Sequence, residues 1–271
     1  MLLVLNAVFL CLALCLVESS WIGFLGLSVS IRRPGSTQKE PIFVDFDEFG
    51  SLPQLKNVYA AIGRSPTIVV IRTENSTVLG YNKLQVSSPL QIEYGGSLFN
   101  PLIKNSTYML VTGFGGDCRV VTKYAKQIAI NHTIEFNCNP TGLYVATKIG
   151  AFLQRMTITN GVRPYAVHTF IIDSDSKRDK IGKIYEIDAF GNIEQVYGGI
   201  AGSNHIKCRQ LLLSEYQHNT SNSDALILVE NILTTAIKES ATYNDSSNDI
   251  KYSSKILSID DEYVQLRDQP E

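Results

Sequence analysis

The four histidines are the first candidates for chemistry, because imidazole can act as a general base and as a metal ligand. His132, His168, His205 and His218 are scattered along the chain, and none has a cysteine or glutamate at metal-ligand spacing. His168 alternates with apolar residues in a strand-like run, which is typical of a histidine whose ring is hydrogen-bonded inside a core. The histidines therefore predict neither a metal site nor a catalytic base.

Carboxylates cluster in two places without the partners that chemistry would need. Asp45, Asp47 and Glu48 have no basic group or metal motif beside them, and residues 173–180 mix acidic with basic side chains. Both patterns are typical of solvated loops.

Three glycines, Gly198, Gly199 and Gly202, follow a predicted strand and precede a predicted helix. Their spacing differs from the dinucleotide-binding fingerprint, so we expect close backbone packing there and no phosphate site. The sequence thus predicts no catalytic, cofactor-binding or metal-binding residues.

The first twenty residues form a segment apart. Residues 2–17 are apolar except for Asn6, and Val17 and Ser19 are small enough to precede a cleavage site. We interpret residues 1–20 as a signal peptide or leader. Two alternatives remain: an uncleaved anchor that continues into the apolar residues 21–29, which is the only case that predicts membrane contact, or a wrongly chosen start codon.

Cysteines and glycosylation acceptors point to different compartments. Beyond the leader, Cys118, Cys138 and Cys208 form an odd set without paired spacing, which favours a reducing compartment. Five Asn-X-Ser/Thr triplets instead favour the secretory route. These candidate N-glycosylation sites are Asn75, Asn105, Asn131, Asn219 and Asn244.

Composition is that of an ordinary folded chain. The 271 residues are 44% hydrophobic and 18% charged, with a formal net charge of −2. This excludes disordered and collagen-like chains and gives no field that would attract nucleic acid. Residues 30–41 are polar and contain two prolines, so we expect residues 21–41 to form a mobile N-terminal arm and residues 42–271 to form one domain.

Runs rich in β-branched residues predict strands in two groups, and each group contains a predicted turn. The predicted strands are 67–72, 77–81, 108–114, 165–173, 183–188, 193–200 and 254–259, with turns at 74–76 and 189–192.

Residues spaced three to four apart predict four helices. The first begins near Asp117, as its cap, and buries Val120 and Val121. The second has Pro140 in its first turn and Leu143 on its apolar face. Ser203 and Asp224 are the expected caps of the last two, which run through residues 216 and 240. Strands and helices that come in runs predict an α+β fold with antiparallel sheets.

Several segments resemble proteasome α-type subunits when they are read together, from about residue 42 to the end. They are Phe46-x-x-x-Gly50-x-Leu52-x-Gln54, the strands at 67–72 and 78–83, Thr112-Gly-Phe-Gly-Gly-Asp117-Cys-Arg119, Gly161-Val-Arg163-Pro164-Tyr165, 184–191 and 200–202.

The resemblance implies a four-layer α-β-β-α sandwich of two stacked antiparallel sheets. It also implies a role in the α-type ring of a proteasome core particle, in assembly, substrate entry and ubiquitin-dependent protein catabolism. The implied partners are other α-type and β-type subunits and regulatory particles, in the cytoplasm and nucleus.

In that family the catalytic subunits use an N-terminal threonine as nucleophile. The position that resembles it here is Pro66, the supporting aspartate position holds Asn82, and the supporting lysine position holds Leu98. Thr67 is adjacent, but nothing around it indicates processing that would free its amine. The resemblance therefore implies a non-catalytic subunit of a threonine endopeptidase complex.

The chain also departs from the α-type pattern. Lys39-Glu40-Pro41 stands where the gating arm carries Tyr-Asp-Arg, and Phe99 stands where some α-type subunits have the lysine that anchors activator tails. An arm of this sequence cannot form the Tyr–Asp pairing between neighbouring subunits.

Two other functions remain open from the sequence. One is a diverged glycoprotein of the secretory pathway that keeps the fold as a binding module, as the leader and the acceptor triplets suggest. The other is an independent amidohydrolase, which would need a cleavage that exposes a threonine, serine or cysteine.

Overall fold

The structure is a computed structural model. It describes residues 46–74, 76–85, 98–104, 106–159, 162–174, 182–217, 220–243, 251–259 and 264–268. The leader at 1–20, the arm at 21–41, Asp45 and His218 lie outside the described residues.

The described residues form five helices and ten strands. The helices are α1 (Pro53–Ile62), α2 (Gly115–Phe136), α3 (Gly142–Ile158), α4 (His205–Glu215) and α5 (Asn222–Tyr243). The strands are β1 (Ile68–Arg72), β2 (Thr77–Gln85), β3 (Phe99–Ile103), β4 (Thr107–Gly113), β5 (Val167–Asp173), β6 (Lys183–Ile187), β7 (Ile193–Val196), β8 (Gly198–Ala201), β9 (Lys251–Ile259) and β10 (Val264–Asp268).

The strands form two antiparallel sheets of five. The first sheet has the order β10-β9-β2-β1-β8, and the second has the order β3-β4-β5-β6-β7. Val69 lies opposite Gly80 in the first sheet, and Leu110 lies opposite Phe170 in the second. Side chains alternate between the faces of a strand, so each sheet has one face toward the other sheet and one toward helices.

Three apolar clusters show how the layers stack. One lies between the sheets and contains Ile68, Leu79, Leu110 and Phe170. A second packs the outer face of the first sheet on α4 and α5, and a third packs the outer face of the second sheet on α2 and α3. The predicted four-layer α-β-β-α sandwich is confirmed.

Both predicted turns are present. Thr73 N donates to Ser76 O at 2.8 Å between β1 and β2. Gly191 N donates to Asp188 O at 3.1 Å between β6 and β7, and Gly191 has a φ of +87°, which glycine adopts without a steric cost.

The starts of three helices differ from the prediction. α2 begins two residues before Asp117, whose carboxylate does not cap it. α3 begins after Pro140, and Thr141 caps it by accepting from Tyr144 N at 3.1 Å. α4 begins after Asn204, and the hydroxyl of Ser203, the expected cap, lies 2.9 Å from Thr67 Oγ1 instead.

The last helix also starts earlier than predicted, and two predicted core residues lie at the surface. α5 begins before Asp224, whose N–H donates to Ser221 Oγ at 3.2 Å. Val120 and Leu143 are exposed, whereas Ala125 and Ala129 of α2 and Ala146 of α3 belong to the buried cluster.

The predicted single strand at 193–200 is two strands that belong to different sheets. β7 pairs with β6 in the second sheet, whereas β8 pairs with β1 in the first. The chain therefore crosses from one sheet to the other at Tyr197. Within the described residues, no helix is long and apolar enough to cross a membrane.

Candidate functional site at the start of the first strand

The segment that resembles the family's nucleophile lies buried at the end of the sandwich. Thr67 is 1% exposed, and its hydroxyl donates to Ser203 O at 2.9 Å and lies 2.9 Å from Ser203 Oγ. Thr67 O accepts from Asn82 N at 2.9 Å. The Thr67 hydroxyl therefore ties β1 to the turn that follows β8.

The Pro66 carbonyl connects the two sheets. It accepts a hydrogen bond of 2.5 Å from the hydroxyl of Thr112, which ends the buried part of β4. Thr112 Oγ1 also lies 2.8 Å from Ser65 Oγ, and Ser65 Oγ donates to Ile62 O at 2.6 Å. The peptide bond before Thr67 is thus part of a buried polar network.

Gly202 allows this network to close. Its φ is +102°, and a Cβ there would collide with the Pro66 carbonyl. Only glycine accepts both that conformation and that approach. The glycine turn singled out from the sequence therefore packs backbone against backbone.

The positions that resemble the supporting aspartate and lysine do not meet. The Asn82 side-chain amide donates to Leu233 O of α5 at 3.2 Å, on the helix-covered face of the first sheet. Leu98 packs on the apolar cluster between the sheets. These two side chains therefore lie on opposite sides of the first sheet.

Replacing Thr112 with valine is expected to destabilise the fold by about 1–3 kcal/mol, because it leaves the partly buried Pro66 carbonyl without its donor. Denaturant unfolding measures the change. Thr147→Val is the matched control, since the exposed Thr147 hydroxyl donates only to Leu143 O of its own helix. An equal loss in both variants would contradict the role of the buried network.

Two of the motif segments meet through a buried carboxylate. Arg163 Nη1 and Nη2 lie 2.6 Å and 2.7 Å from Asp117 Oδ2 and Oδ1, and Ala166 N donates to Asp117 Oδ2 at 3.0 Å. The bidentate hydrogen bonds to Asp117 raise the pKa of the Arg163 guanidinium. Asp117 thus holds the segment before β5 against the start of α2.

A second charged cluster joins different layers. His168 Nε2 on β5 lies 2.9 Å from Glu186 Oε1 on β6, and Arg209 Nη2 on α4 lies 3.5 Å from the same oxygen. A Cβ at Gly199 would collide with the Phe170 ring and approach Glu186. Gly199 therefore leaves room for the Phe170 ring beside this cluster.

The three cysteines outside the leader are free thiols, two of them buried. Burial, with a smaller contribution from Asp117, raises the pKa of the Cys118 thiol to about 12. A thiol with this pKa is almost entirely protonated at neutral pH and is a poor nucleophile. Cys138 is exposed, and among the described residues no group of three or more metal-ligating side chains converges.

Alkylation at pH 8 is expected to modify Cys138 quickly and to leave Cys118 and Cys208 unmodified until the chain unfolds, as peptide mass spectrometry would show. Equal labelling of all three thiols in the folded protein would contradict this expectation.

The raised pKa of Cys118 also predicts a pH dependence of stability. Because it favours the protonated thiol in the folded state, the contribution of Cys118 to the free energy of unfolding falls as the pH rises from 9 toward 12.

Of the five glycosylation acceptors, the structure describes Asn131 alone. Asn131 is exposed inside α2, not at its end, and its Oδ1 accepts from Gln127 Nε2 at 2.7 Å. Asn75, Asn105, Asn219 and Asn244 lie outside the described residues, and glycosylation of all five stays a prediction.

Phe99 stands at the position that resembles the activator-anchoring lysine. Its ring stacks on Tyr108, with ring centroids 5.4 Å apart.

Comparison with known proteins agrees with this fold. The sequence profile of a family described as "Proteasome subunit" matches residues 63–251. A "Proteasome subunit alpha" of Saccharolobus islandicus is 24% identical over 77% of this chain and 85% of its own length, and that of Saccharolobus solfataricus is 23% identical over the same shares.

A relative from Macaca fascicularis, "Proteasome subunit alpha type-7-like", is 27% identical over 66% of this chain and 70% of its own length. The family match covers more than half of the chain, and the relatives are α-type subunits at low identity. The chain therefore belongs to the proteasome subunit family, as a divergent member of the α type.

Proposed function

We propose that this chain is a non-catalytic α-type ring subunit of a proteasome core particle. It would contribute to ring assembly and to the entry of substrates, and through them to ubiquitin-dependent protein catabolism. Its partners would be other α-type and β-type subunits and regulatory particles, in the cytoplasm and nucleus.

The residue at the position that resembles the family's nucleophile is the observation that carries this proposal. A threonine of this family acts as nucleophile when its own free amine serves as the base. Here Pro66, which has no nucleophilic side chain, stands at the position that resembles this threonine. The hydroxyl of the neighbouring Thr67 is buried and donates to Ser203 O. This geometry supports a structural role for the site.

The positions of Asn82 and Leu98 support the same conclusion. Neither side chain can supply the carboxylate or the ammonium group of the family's catalytic centre, and they lie on opposite faces of the sheet. A fold that keeps the family's layers without these groups is suited to contacts with other subunits.

Native mass spectrometry of the intact protein, isolated under non-denaturing conditions, tests the proposal. We expect the chain in a complex far larger than its own 30.0 kDa, together with other proteasome subunits. A chain that runs alone at its own mass would overturn the proposal. The same spectra report whether residues 1–20 remain attached and whether glycans are present.

A hydrolysis assay with fluorogenic peptides separates this subunit from its catalytic partners. We expect Thr67→Ala to leave the peptidase activity of the assembled particle unchanged, because the hydroxyl of Thr67 has a structural contact only. A loss of one peptide specificity with Thr67→Ala, in particles of normal composition, would contradict a non-catalytic role.

A further inference from the structure

Glu186 shares one carboxylate oxygen between two basic side chains that come from different layers. His168 Nε2 on β5 lies 2.9 Å from Glu186 Oε1, and Arg209 Nη2 on α4 lies 3.5 Å from the same oxygen. An ionised carboxylate only accepts hydrogen bonds, so a neutral His168 ring carries its proton on Nε2. The side chains of His168 and Glu186 are 12% and 13% exposed, whereas that of Arg209 is 53% exposed.

Two further carboxylates lie near Glu186 in the second sheet. Glu194 on β7 is directly opposite Glu186 and is exposed. Asp188 follows β6 and accepts from Phe190 N and Asn192 N within its own turn. Because like charges opposite each other repel, Glu186 depends on its two basic neighbours for charge balance.

The space between the sheets is apolar around this pair. Among the described residues, Tyr81 and Tyr108 are the titratable side chains of the buried cluster there, and phenols are uncharged near neutral pH. β8 approaches Glu186 with Gly199, where a Cβ would stand 3.4 Å from Glu186 Oε2. Within the described residues, the charge of the cluster is therefore determined by Glu186, His168 and Arg209.

α4 is attached to the sandwich by little buried surface. Of its eleven residues, Cys208 and Leu212 are the buried ones, and they pack on the outer face of the first sheet. Arg209 reaches past the edge strand β8 to Glu186 of the second sheet. Segments with few buried apolar side chains open locally at low free energy, so a single polar contact affects how often α4 opens.

We propose that Glu186 changes its main partner as His168 gains and loses a proton, so that pH controls how firmly α4 is attached to the second sheet. When His168 is neutral, the charge of Arg209 balances that of Glu186. When His168 is charged, the imidazolium balances Glu186 at the shorter distance and repels the guanidinium. Imidazole changes its charge between about pH 5 and 8, so Arg209 is held near pH 8 and released near pH 5.

Hydrogen exchange of the full-length protein in its native state, measured by peptide mass spectrometry, tests this change of partner. After correction for the pH dependence of chemical exchange, we expect the amides of α4 to exchange several-fold faster at about pH 5 than at about pH 8. The amides of β5 and β6 should keep the same corrected rate, because the contact between His168 and Glu186 is present in both states.

Three variants assign the response to its groups. His168→Gln keeps a donor toward Glu186 but cannot gain a charge, so we expect slow exchange of α4 at both pH values. Arg209→Gln removes the guanidinium, so α4 should exchange fast at both. His205→Gln is the matched control and should keep the response, because His205 lies in α4 but its Nδ1 is 3.0 Å from Gly202 O.

The titration of each histidine gives a reading that needs no substitution. Exchange of the imidazole C2 hydrogen, followed by mass spectrometry, reports the charge of His132, His168 and His205 separately. We expect the response of α4 to have the same midpoint as the titration of His168. This comparison decides the question if His168→Gln does not fold.

A corrected exchange rate of α4 that is equal at both pH values would overturn the proposal. A response that persists in His168→Gln, or a midpoint that follows His205, would overturn it as well. So would a His168 ring that takes up no proton in this range. None of these outcomes affects the proposed function, because every group in the exchange belongs to this one chain.

Discussion

Replacing Phe170 with alanine is expected to destabilise the folded chain by about 3–5 kcal/mol. Among the described residues, Phe170 is the largest of the fully buried side chains, and it lies between the two sheets. Its removal takes apolar contacts from both sheets and leaves a cavity, because strands held in two ladders cannot close around it. Denaturant unfolding measures the loss as a lower midpoint with an unchanged slope.

The matched control is Phe49→Ala, because Phe49 is 85% exposed. We expect a change below about 0.5 kcal/mol there, as is usual for surface positions. Similar losses at both positions would contradict the assignment of the core to the space between the sheets.

Arg163→Ala is expected to destabilise the fold by about 3 kcal/mol, because it leaves a buried carboxylate with a single hydrogen bond. The Asp117 side chain is 4% exposed and would retain only Ala166 N as a donor. This expected loss of stability is at the low end of the range for breaking a buried ion pair, because the Arg163 side chain is itself 61% exposed. Thermal unfolding at neutral pH and moderate salt measures the change.

A surface ion pair provides the control for that substitution. Lys56 Nζ lies 3.9 Å from Asp47 Oδ2, and the lysine is largely exposed. We expect Lys56→Ala to change stability by less than about 0.5 kcal/mol, since water and salt screen such a pair. A loss at Lys56 as large as that at Arg163 would show that burial of the carboxylate is not what matters.

The sheets could be predicted from the sequence because local pattern and long-range packing agree there. Runs such as 67–72 are rich in β-branched residues, and the turn residues at 189–192 allow a hairpin. Residues of these types favour strands and hairpins in any context. The two helix pairs could be predicted from the spacing of apolar residues alone.

The helix starts were harder to predict, because distant residues determine them. Asp117 has the residue type and position of a cap, but Arg163, 46 residues away, takes its carboxylate. Ser203 also resembles a cap, and its hydroxyl bonds to Thr67. No local pattern carries this information.

Three elements were not predicted, namely β3, α1 and β10, and the first two were missed for different reasons. β3 contains Pro101, and proline in a run argues against a strand unless the strand is at an edge. β3 is the edge of the second sheet, with an irregular register between Pro101 and Ile103. α1 did carry a signal, because Leu55, Val58 and Ile62 are spaced three and four apart and all are buried.

The candidate site was predicted in its residues but not in its geometry. Pro66, Asn82 and Leu98 could be identified by their order along the chain. The contacts of Thr112 and Ser203 with this segment could not, because both partners are distant in sequence: Thr112 lies in the other sheet, and Ser203 lies in the turn after β8.

The covalent state of the Pro66–Thr67 bond in the native assembly tests the central claim most directly. We expect mass spectrometry under denaturing conditions, with sequencing of amino termini, to find one polypeptide that is continuous through this bond. We also expect no adduct on Thr67 after treatment with a hydroxyl-reactive β-lactone. A chain that begins at Thr67 with a free amine, together with peptide hydrolysis by that chain alone, would contradict the account.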